Sequence, residues 1–212
     1  MSTAEEFVKG KWEKLTAFSN KKEIKDYLWN ELVYRYSGPH RFYHNLNHVA
    51  YIFSLCDTYL EHIQNKAVVG FAILYHDVVY DTFRGDNEEQ SAMIAETHLQ
   101  KLKLNPTIIA HVKDFIFATK QHLIPENFIL RDDLALFLDF DLAILGEDND
   151  TYKLYSQQIR QEYLKFSDEL YNRGRKEALQ KMIDSSLFHT ELFKNAKGDK
   201  AKANMLLEIA TL

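Results

Sequence analysis

The stretch Ala67-Val-Val-Gly-Phe-Ala-Ile-Leu-Tyr75-His76-Asp77 decides the fold. Nine consecutive uncharged residues end abruptly at a histidine and an aspartate. A helix that is apolar on every side is typical of a protein interior, and this one is far too short to span a bilayer. A buried imidazole beside a buried carboxylate needs a proton, a hydrogen bond or a cation. One divalent metal ion satisfies both groups, whereas a helix cap or a structural hydrogen bond is the simpler alternative.

The composition predicts a helical protein. A chain of 212 residues can bury a substantial core, and 46% of its residues are hydrophobic. Seven glycines and three prolines leave little material for many tight turns, which favours long helices. We expect an all-α fold of about eight to ten helices with negligible sheet. Residues 1–212 are predicted to form one domain, with a core over about 20–146 and a C-terminal helical extension over 150–212.

The charge and the cysteine content exclude several classes of protein. A formal net charge of −5 gives no general attraction to nucleic acid or to anionic lipid. The single cysteine, Cys56, excludes a disulfide framework and favours a reducing compartment. The N-terminal sequence has no secretory signal pattern and no stretch is long enough for a transmembrane span, so we expect a cytoplasmic protein. Apolar faces on the terminal helices fit either the core or a homodimer contact.

Two further polar groups lie on faces that are otherwise apolar. His48 opens a helical face that continues one turn later with Ile52. Asp141 shares one helical stripe with apolar residues, whereas its rival Asp139 lies well round the helix. The apolar members of that stripe are Leu134, Phe137, Leu138, Leu142 and Leu145. Both His48 and Asp141 are therefore predicted to point inward.

Together these inward-pointing groups make a mixed nitrogen and oxygen set. The set is His48, His76, Asp77 and Asp141. Two imidazoles and two carboxylates suit Mn²⁺, Fe²⁺, Co²⁺, Ni²⁺, Mg²⁺ or Zn²⁺ better than Ca²⁺. An octahedral ion with four protein ligands keeps positions for water, which is the nucleophile of hydrolysis. His44 lies one helical turn before His48 and stays open as a further ligand.

Four motifs resemble the HD superfamily of metal-dependent phosphohydrolases, and the resemblance extends over most of the chain. Within that superfamily they look like an uncharacterised group of predicted HD phosphohydrolases. The motifs are His44-Asn-Leu-Asn-His48-Val, Tyr75-His-Asp-Val-Val-Tyr-Asp81, Asn87-Glu88 with Ser91-Ala92, and Leu138-Asp-Phe-Asp-Leu-Ala-Ile-Leu-Gly146. The resemblance implies an HD-type helical bundle whose metal ligands are a histidine, a His-Asp pair and a distal aspartate. Those positions read His48, His76-Asp77 and Asp141 here.

The segment from His76 to Thr82 is also similar to the HDxxED stretch of guanosine tetraphosphate hydrolases in the same superfamily. Tyr80 stands where those enzymes have Glu, while Asp81 keeps the second acid. This departure leaves the exact substrate open. The resemblance implies metal-dependent hydrolysis of a phosphate ester or anhydride in a small, nucleotide-like phosphorylated molecule.

Several residues around the predicted metal site are candidates for catalysis or substrate binding. Asp81 and Glu88 follow the metal pair closely and are predicted to transfer protons. For Glu88 a favourable charge in the first turn of a helix is a comparable explanation. The residues predicted to contact substrate are Arg41, His44, Lys120 and Arg160. His111 and His122 fit either a second metal site or structural roles.

Two other functions stay open. Some members of the superfamily bind two iron ions and use oxygen, so an HD-type fold does not decide the reaction. A non-catalytic module that binds a nucleotide is the third hypothesis. Metal content, oxygen uptake and product formation distinguish the three.

Overall fold

The computed structural model describes residues 2–212, which form ten α-helices and two short 3₁₀ helices without any strand. The prediction of an all-α fold with about eight to ten helices is confirmed. Contacts divide the chain into two compact units, and the boundary lies between Phe137 and Leu138. The sequence predicts one domain whose core ends near residue 146, so the structural boundary comes earlier in the chain.

The first unit is built around one central helix, α4. This helix packs against four others, α1, α3, α5 and α6. A 3₁₀ helix at Leu60–His62 leads towards α4. The six helices of this unit are α1 (Thr3–Leu15), α2 (Lys22–Tyr36), α3 (Leu46–Thr58), α4 (Lys66–Tyr75), α5 (Asn87–Lys101) and α6 (Pro106–Thr119).

The helix α4 is buried along its length, as its sequence predicts. Every residue from Val68 to Tyr75 is buried. A Cβ atom at Gly70 would lie 2.7 Å from the side chain of Leu15, so this glycine permits the close packing of α1 against α4. At the start of α4 the carboxylate of Asp133 accepts hydrogen bonds from the backbone N–H groups of Gln64 and Asn65, at 2.8 and 2.7 Å.

The end of α4 is held by a buried polar network. The Tyr75 hydroxyl lies 3.2 Å from Nδ1 of His98, and Nε2 of His98 lies 3.1 Å from Oε2 of Glu31. These contacts fit a neutral His98 that accepts from Tyr75 and donates to Glu31. The Tyr36 hydroxyl also donates to the carbonyl of Leu74, at 3.1 Å. The last turn of α4 is therefore fixed from α2 and α5.

The second unit begins within the helix α7 (Arg131–Leu142), which contains the boundary. A 3₁₀ helix at Ala143–Gly146 follows α7, and α10 packs against it and against α8 and α9. Arg175 forms a buried ion pair with Glu208 at 2.8 Å, and the Tyr152 hydroxyl donates to Glu208 at 2.5 Å. The remaining helices are α8 (Asn149–Glu162), α9 (Asp168–Asp184) and α10 (Glu191–Thr211). None of the helices in residues 2–212 has the length and apolar character needed to cross a lipid bilayer.

We expect the stability of the first unit to fall below about pH 6.5 because of His98. Burial lowers the pKa of His98 from its ordinary value of 6.5, and the nearby Glu31 carboxylate only partly offsets this. As the pH falls, the unfolded chain takes up a proton at this site that the folded protein does not bind. The free energy of unfolding should therefore drop by up to about 1.4 kcal/mol per pH unit from this group.

The measurement is urea unfolding at pH 7.5 and 5.5, followed by tryptophan fluorescence. Both tryptophans, Trp12 and Trp29, are buried in the first unit and report on it. His98→Gln removes the titrating group and should lose less stability between the two pH values than the parent protein. Equal losses in the two proteins would contradict the assignment.

Candidate metal centre

His48 reaches the interior from the first turn of α3. The side chain of Asn45 caps this helix by accepting a hydrogen bond from the backbone N–H of Asn47 at 2.8 Å. His48 follows on the face that continues with Ile52, and both residues are buried. The inward direction predicted for His48 is confirmed.

His76 is placed and oriented by the end of α4. Its backbone N–H still donates to the carbonyl of Ala72 at 2.9 Å, so the residue continues the helical geometry by one position. Its Nδ1 lies 3.1 Å from the carbonyl oxygen of Ile73. Because a carbonyl oxygen can only accept, Nδ1 carries the proton. In the neutral imidazole Nε2 is then unprotonated, which is the form that binds metals.

Three potential ligand atoms converge at this point, and we call His48, His76 and Asp77 the metal corner. Nε2 of His76 lies 3.1 Å from Nε2 of His48 and 3.1 Å from Oδ2 of Asp77. Nε2 of His48 lies 3.6 Å from the same carboxylate oxygen. Nitrogen and oxygen ligands sit about 2.0–2.2 Å from Zn²⁺, so neighbouring ligands of one such ion lie about 3.0–3.5 Å apart. The donor set and its spacing therefore fit a divalent ion.

The metal corner is accessible on the side of Asp77. The side chains of His48 and His76 are 1% exposed, whereas that of Asp77 is 21% exposed. Burial by itself raises the pKa of Asp77, but the imidazoles of His76, His44 and His48 outweigh it and hold this pKa below its usual range. The carboxylate is therefore ionised at neutral pH.

Asp141 and Asp139, the two rival aspartates of α7, have different surroundings. Asp141 is half-buried, although its helical stripe predicts that it points inward. Asp139 is fully buried and accepts hydrogen bonds from the backbone N–H groups of His189 and Thr190 and from the Thr190 hydroxyl, at 2.7, 2.9 and 2.6 Å. Asp139 thus holds the residues before α10 from a buried position that the stripe did not predict, and the role of Asp141 as a ligand stays a prediction.

The ring of His44 lies beside the metal corner. It stacks on the ring of Tyr80, with centroids 4.0 Å apart, and meets the ring of His48 edge-on at 5.7 Å. The backbone carbonyl oxygen of Tyr80 lies 3.1 Å from Nε2 of His40, and this contact also fixes the position of Tyr80. The position of His44 is compatible with contact to a substrate, and that role stays a prediction.

Arg41 lies inside the protein, where three carbonyl groups of the chain engage it. Its Nη1 donates to the carbonyls of His44 and Asp77, at 2.8 and 2.7 Å, and its Nη2 donates to the carbonyl of Val78 at 3.1 Å. Sequence reasoning predicted a substrate contact and missed this arrangement. The spacing of residues in the sequence does not indicate these hydrogen bonds, because the acceptors are backbone groups that every residue has.

The predicted proton-transfer residues lie on the loop and helix that follow α4. Asp81 is exposed, and its Oδ1 accepts from the backbone N–H of Phe83 at 3.0 Å. The Asn87 side chain fixes the backbone of Asp81 by accepting from its N–H at 3.1 Å and donating to its carbonyl at 2.9 Å. Glu88 is half-buried in the first turn of α5. The catalytic roles of Asp81 and Glu88 stay predictions.

The other predicted cations have acidic partners. Lys120 forms an ion pair with Glu89 at 2.5 Å and donates to the carbonyl of Gly85 at 2.8 Å. Arg160, in the second unit, pairs with Asp168 at 2.6 Å and also donates to the carbonyl of Tyr163. To bind phosphate as predicted, Lys120 and Arg160 would have to share their N–H donors between the phosphate and these acidic partners.

The histidines His111 and His122 do not form a second group of ligands in the structure. Within residues 2–212, neither histidine belongs to a group of three or more potential metal ligands. Nδ1 of His111 lies 3.8 Å from Asp114, and His122 has a left-handed backbone with φ of 51°.

We expect Asp141→Asn and Asp139→Asn to separate metal binding from stability. Asp141→Asn removes the carboxylate predicted to be a ligand, so the affinity for Mn²⁺ should fall by more than the roughly 10–100-fold typical of an outer-shell partner. Asp139→Asn brings an NH₂ group towards three donors, and Tm should fall by roughly 2–4 °C for each kcal/mol lost. Titration calorimetry with Mn²⁺ and thermal unfolding by circular dichroism measure both effects. Equal losses of affinity in the two variants would contradict the assignment of the two aspartates.

Comparison of the chain with protein-family models, with curated proteins and with solved structures gave no match. The chemistry of the site is therefore inferred from the positions of its residues. A buried pair of imidazoles with a carboxylate, in a spacing that fits one divalent cation, is what the structure establishes.

Proposed function

We propose that the protein is a divalent-metal-dependent phosphohydrolase of the HD type, acting on a small, nucleotide-like substrate. The observation that carries this proposal is the convergence of His48, His76 and Asp77, whose ligand atoms lie 3.1–3.6 Å apart. We propose Asp141 as the fourth ligand, because it occupies the position of the distal aspartate in the motifs. The motif resemblance supports the same four residues.

The chemistry of the donor set supports a hydrolytic metal. Two imidazoles with carboxylates suit Mn²⁺, Fe²⁺, Co²⁺, Ni²⁺ or Zn²⁺, and Mg²⁺ accepts the carboxylates. Such an ion, when bound, polarises a phosphoryl oxygen and activates water for attack.

The chain's own groups prepare the site for this reaction. The Nδ1–H of His76 donates a hydrogen bond to the carbonyl of Ile73 and so fixes the orientation of the imidazole ring. Its Nε2 therefore already faces His48 and Asp77, and the ring does not have to turn before it binds a metal. The exposed fraction of Asp77 supports access by substrate from that side. We propose that Asp81 or Glu88 handles the proton and that His44, stacked on Tyr80, contacts the substrate.

The test is an activity screen of the full chain after metal removal and reloading. Metal-free protein should be inactive, and Mn²⁺, Co²⁺, Mg²⁺ or Zn²⁺ should restore hydrolysis of nucleotides or generic phosphate esters. Asp77→Asn and His76→Gln should abolish it because each removes a ligand. His62→Gln, which alters an exposed histidine of the Leu60–His62 turn, is the matched control and should retain full activity.

Three results would count against the phosphohydrolase. Full activity of Asp77→Asn would exclude the proposed centre. Two iron ions per chain together with oxygen uptake would favour the oxygenase, and tight nucleotide binding without product would favour a binding module.

A further inference from the structure

Arg41 is a buried cation directly behind the metal corner. The residue is 8% exposed, so it does not offer its charge to the solvent. Its guanidinium donates three hydrogen bonds, and all three acceptors are backbone carbonyls. Its Nε–H finds no hydrogen-bond partner within residues 2–212. A cation placed in this way has a function inside the protein, because burying it is otherwise costly.

The three acceptors belong to the two segments that carry the metal corner. The carbonyl of His44 lies one helical turn before His48, at the entry to α3. The carbonyls of Asp77 and Val78 lie directly after His76, where the chain leaves α4. Both segments are thus tied to one rigid planar group, and hydrogen bonds to a charged donor are stronger than those between neutral groups.

Two tyrosine rings hold the guanidinium in place. Its central carbon lies 5.1 Å from the ring centre of Tyr36 and 5.8 Å from that of Tyr80. Aromatic faces attract a desolvated cation. The Tyr36 hydroxyl donates to the carbonyl of Leu74, so this ring is itself fixed on α4. The arrangement requires a planar group with several donors, which arginine has and lysine lacks.

We propose that Arg41 is a positioning residue, which sets the spacing between His48 and Asp77 by holding the backbone on both sides of the metal corner. The consequence for metal affinity rests on the proposed function, whereas the positioning itself rests on the contacts of Arg41 alone.

The test compares Arg41→Lys with Asp133→Asn, a matched variant in the same unit. Asp133 is also buried and also binds backbone groups, but it holds the start of α4 rather than its end. In metal-free protein, Arg41→Lys should speed amide hydrogen exchange over residues 76–80 by at least about tenfold, because two carbonyl anchors are lost. Asp133→Asn should speed exchange around residues 64–68 instead.

Metal affinity is the second readout, and a merely structural role would not change it. Arg41→Lys should bind Mn²⁺ about 10–100-fold more weakly at a temperature where the protein is folded. Asp133→Asn should bind Mn²⁺ as the parent does. Unchanged exchange over residues 76–80 in Arg41→Lys, or the same acceleration there in Asp133→Asn, would overturn the proposal.

A parent protein that fails to bind Mn²⁺ would reject the proposed function, and hydrogen exchange would still decide the role of Arg41. If Arg41→Lys does not fold, the guanidinium nitrogen spectrum of the parent protein decides. Carbonyl bonds on both Nη atoms should block rotation and give separate, slowly exchanging Nη signals for Arg41. A single averaged signal would contradict the proposal.

Discussion

The structure depends on how one buried helix ends. The helix α4 crosses the first unit without exposing a residue between Val68 and Tyr75, and it ends in an imidazole and a carboxylate that the interior could not hold alone. The Nδ1–H of His76 is satisfied by the last turn of the helix itself. The other nitrogen lies 3.1 Å from both a second imidazole and the Asp77 carboxylate, and the spacing of these three groups fits one divalent cation.

Other residues of the first unit fix the two ends of α4. Asp133 fixes the start of α4, while the chain of Tyr75, His98 and Glu31 fixes its last turn. Arg41 then continues the support into the segment beyond the helix. Asp133, Arg41 and Tyr36 all bond to backbone groups, so they fix the position of the chain around α4.

Much of this site could be predicted from the sequence, and the reason is periodicity. An unbroken apolar run identified the central helix, and the three- and four-residue spacing placed His48 on an inward face. The same argument placed Asp141 on the inward face and Asp139 well round the helix, whereas Asp139 is fully buried and Asp141 only half-buried. The partners of Asp139 were not predictable, because His189 and Thr190 follow it by some 50 residues and are connected only through the folded chain. The burial of Arg41 could not be predicted either, because its hydrogen-bond partners are backbone carbonyls, which every type of residue has.

The most direct measurement of the central claim is X-ray absorption at the zinc edge of the zinc-loaded protein. The account predicts a shell of nitrogen and oxygen atoms at about 2.0–2.2 Å, with the multiple-scattering signature of two imidazoles. His76→Gln should reduce that signature to one imidazole. A shell of oxygen atoms without imidazole, or a spectrum that His76→Gln leaves unchanged, would contradict the account.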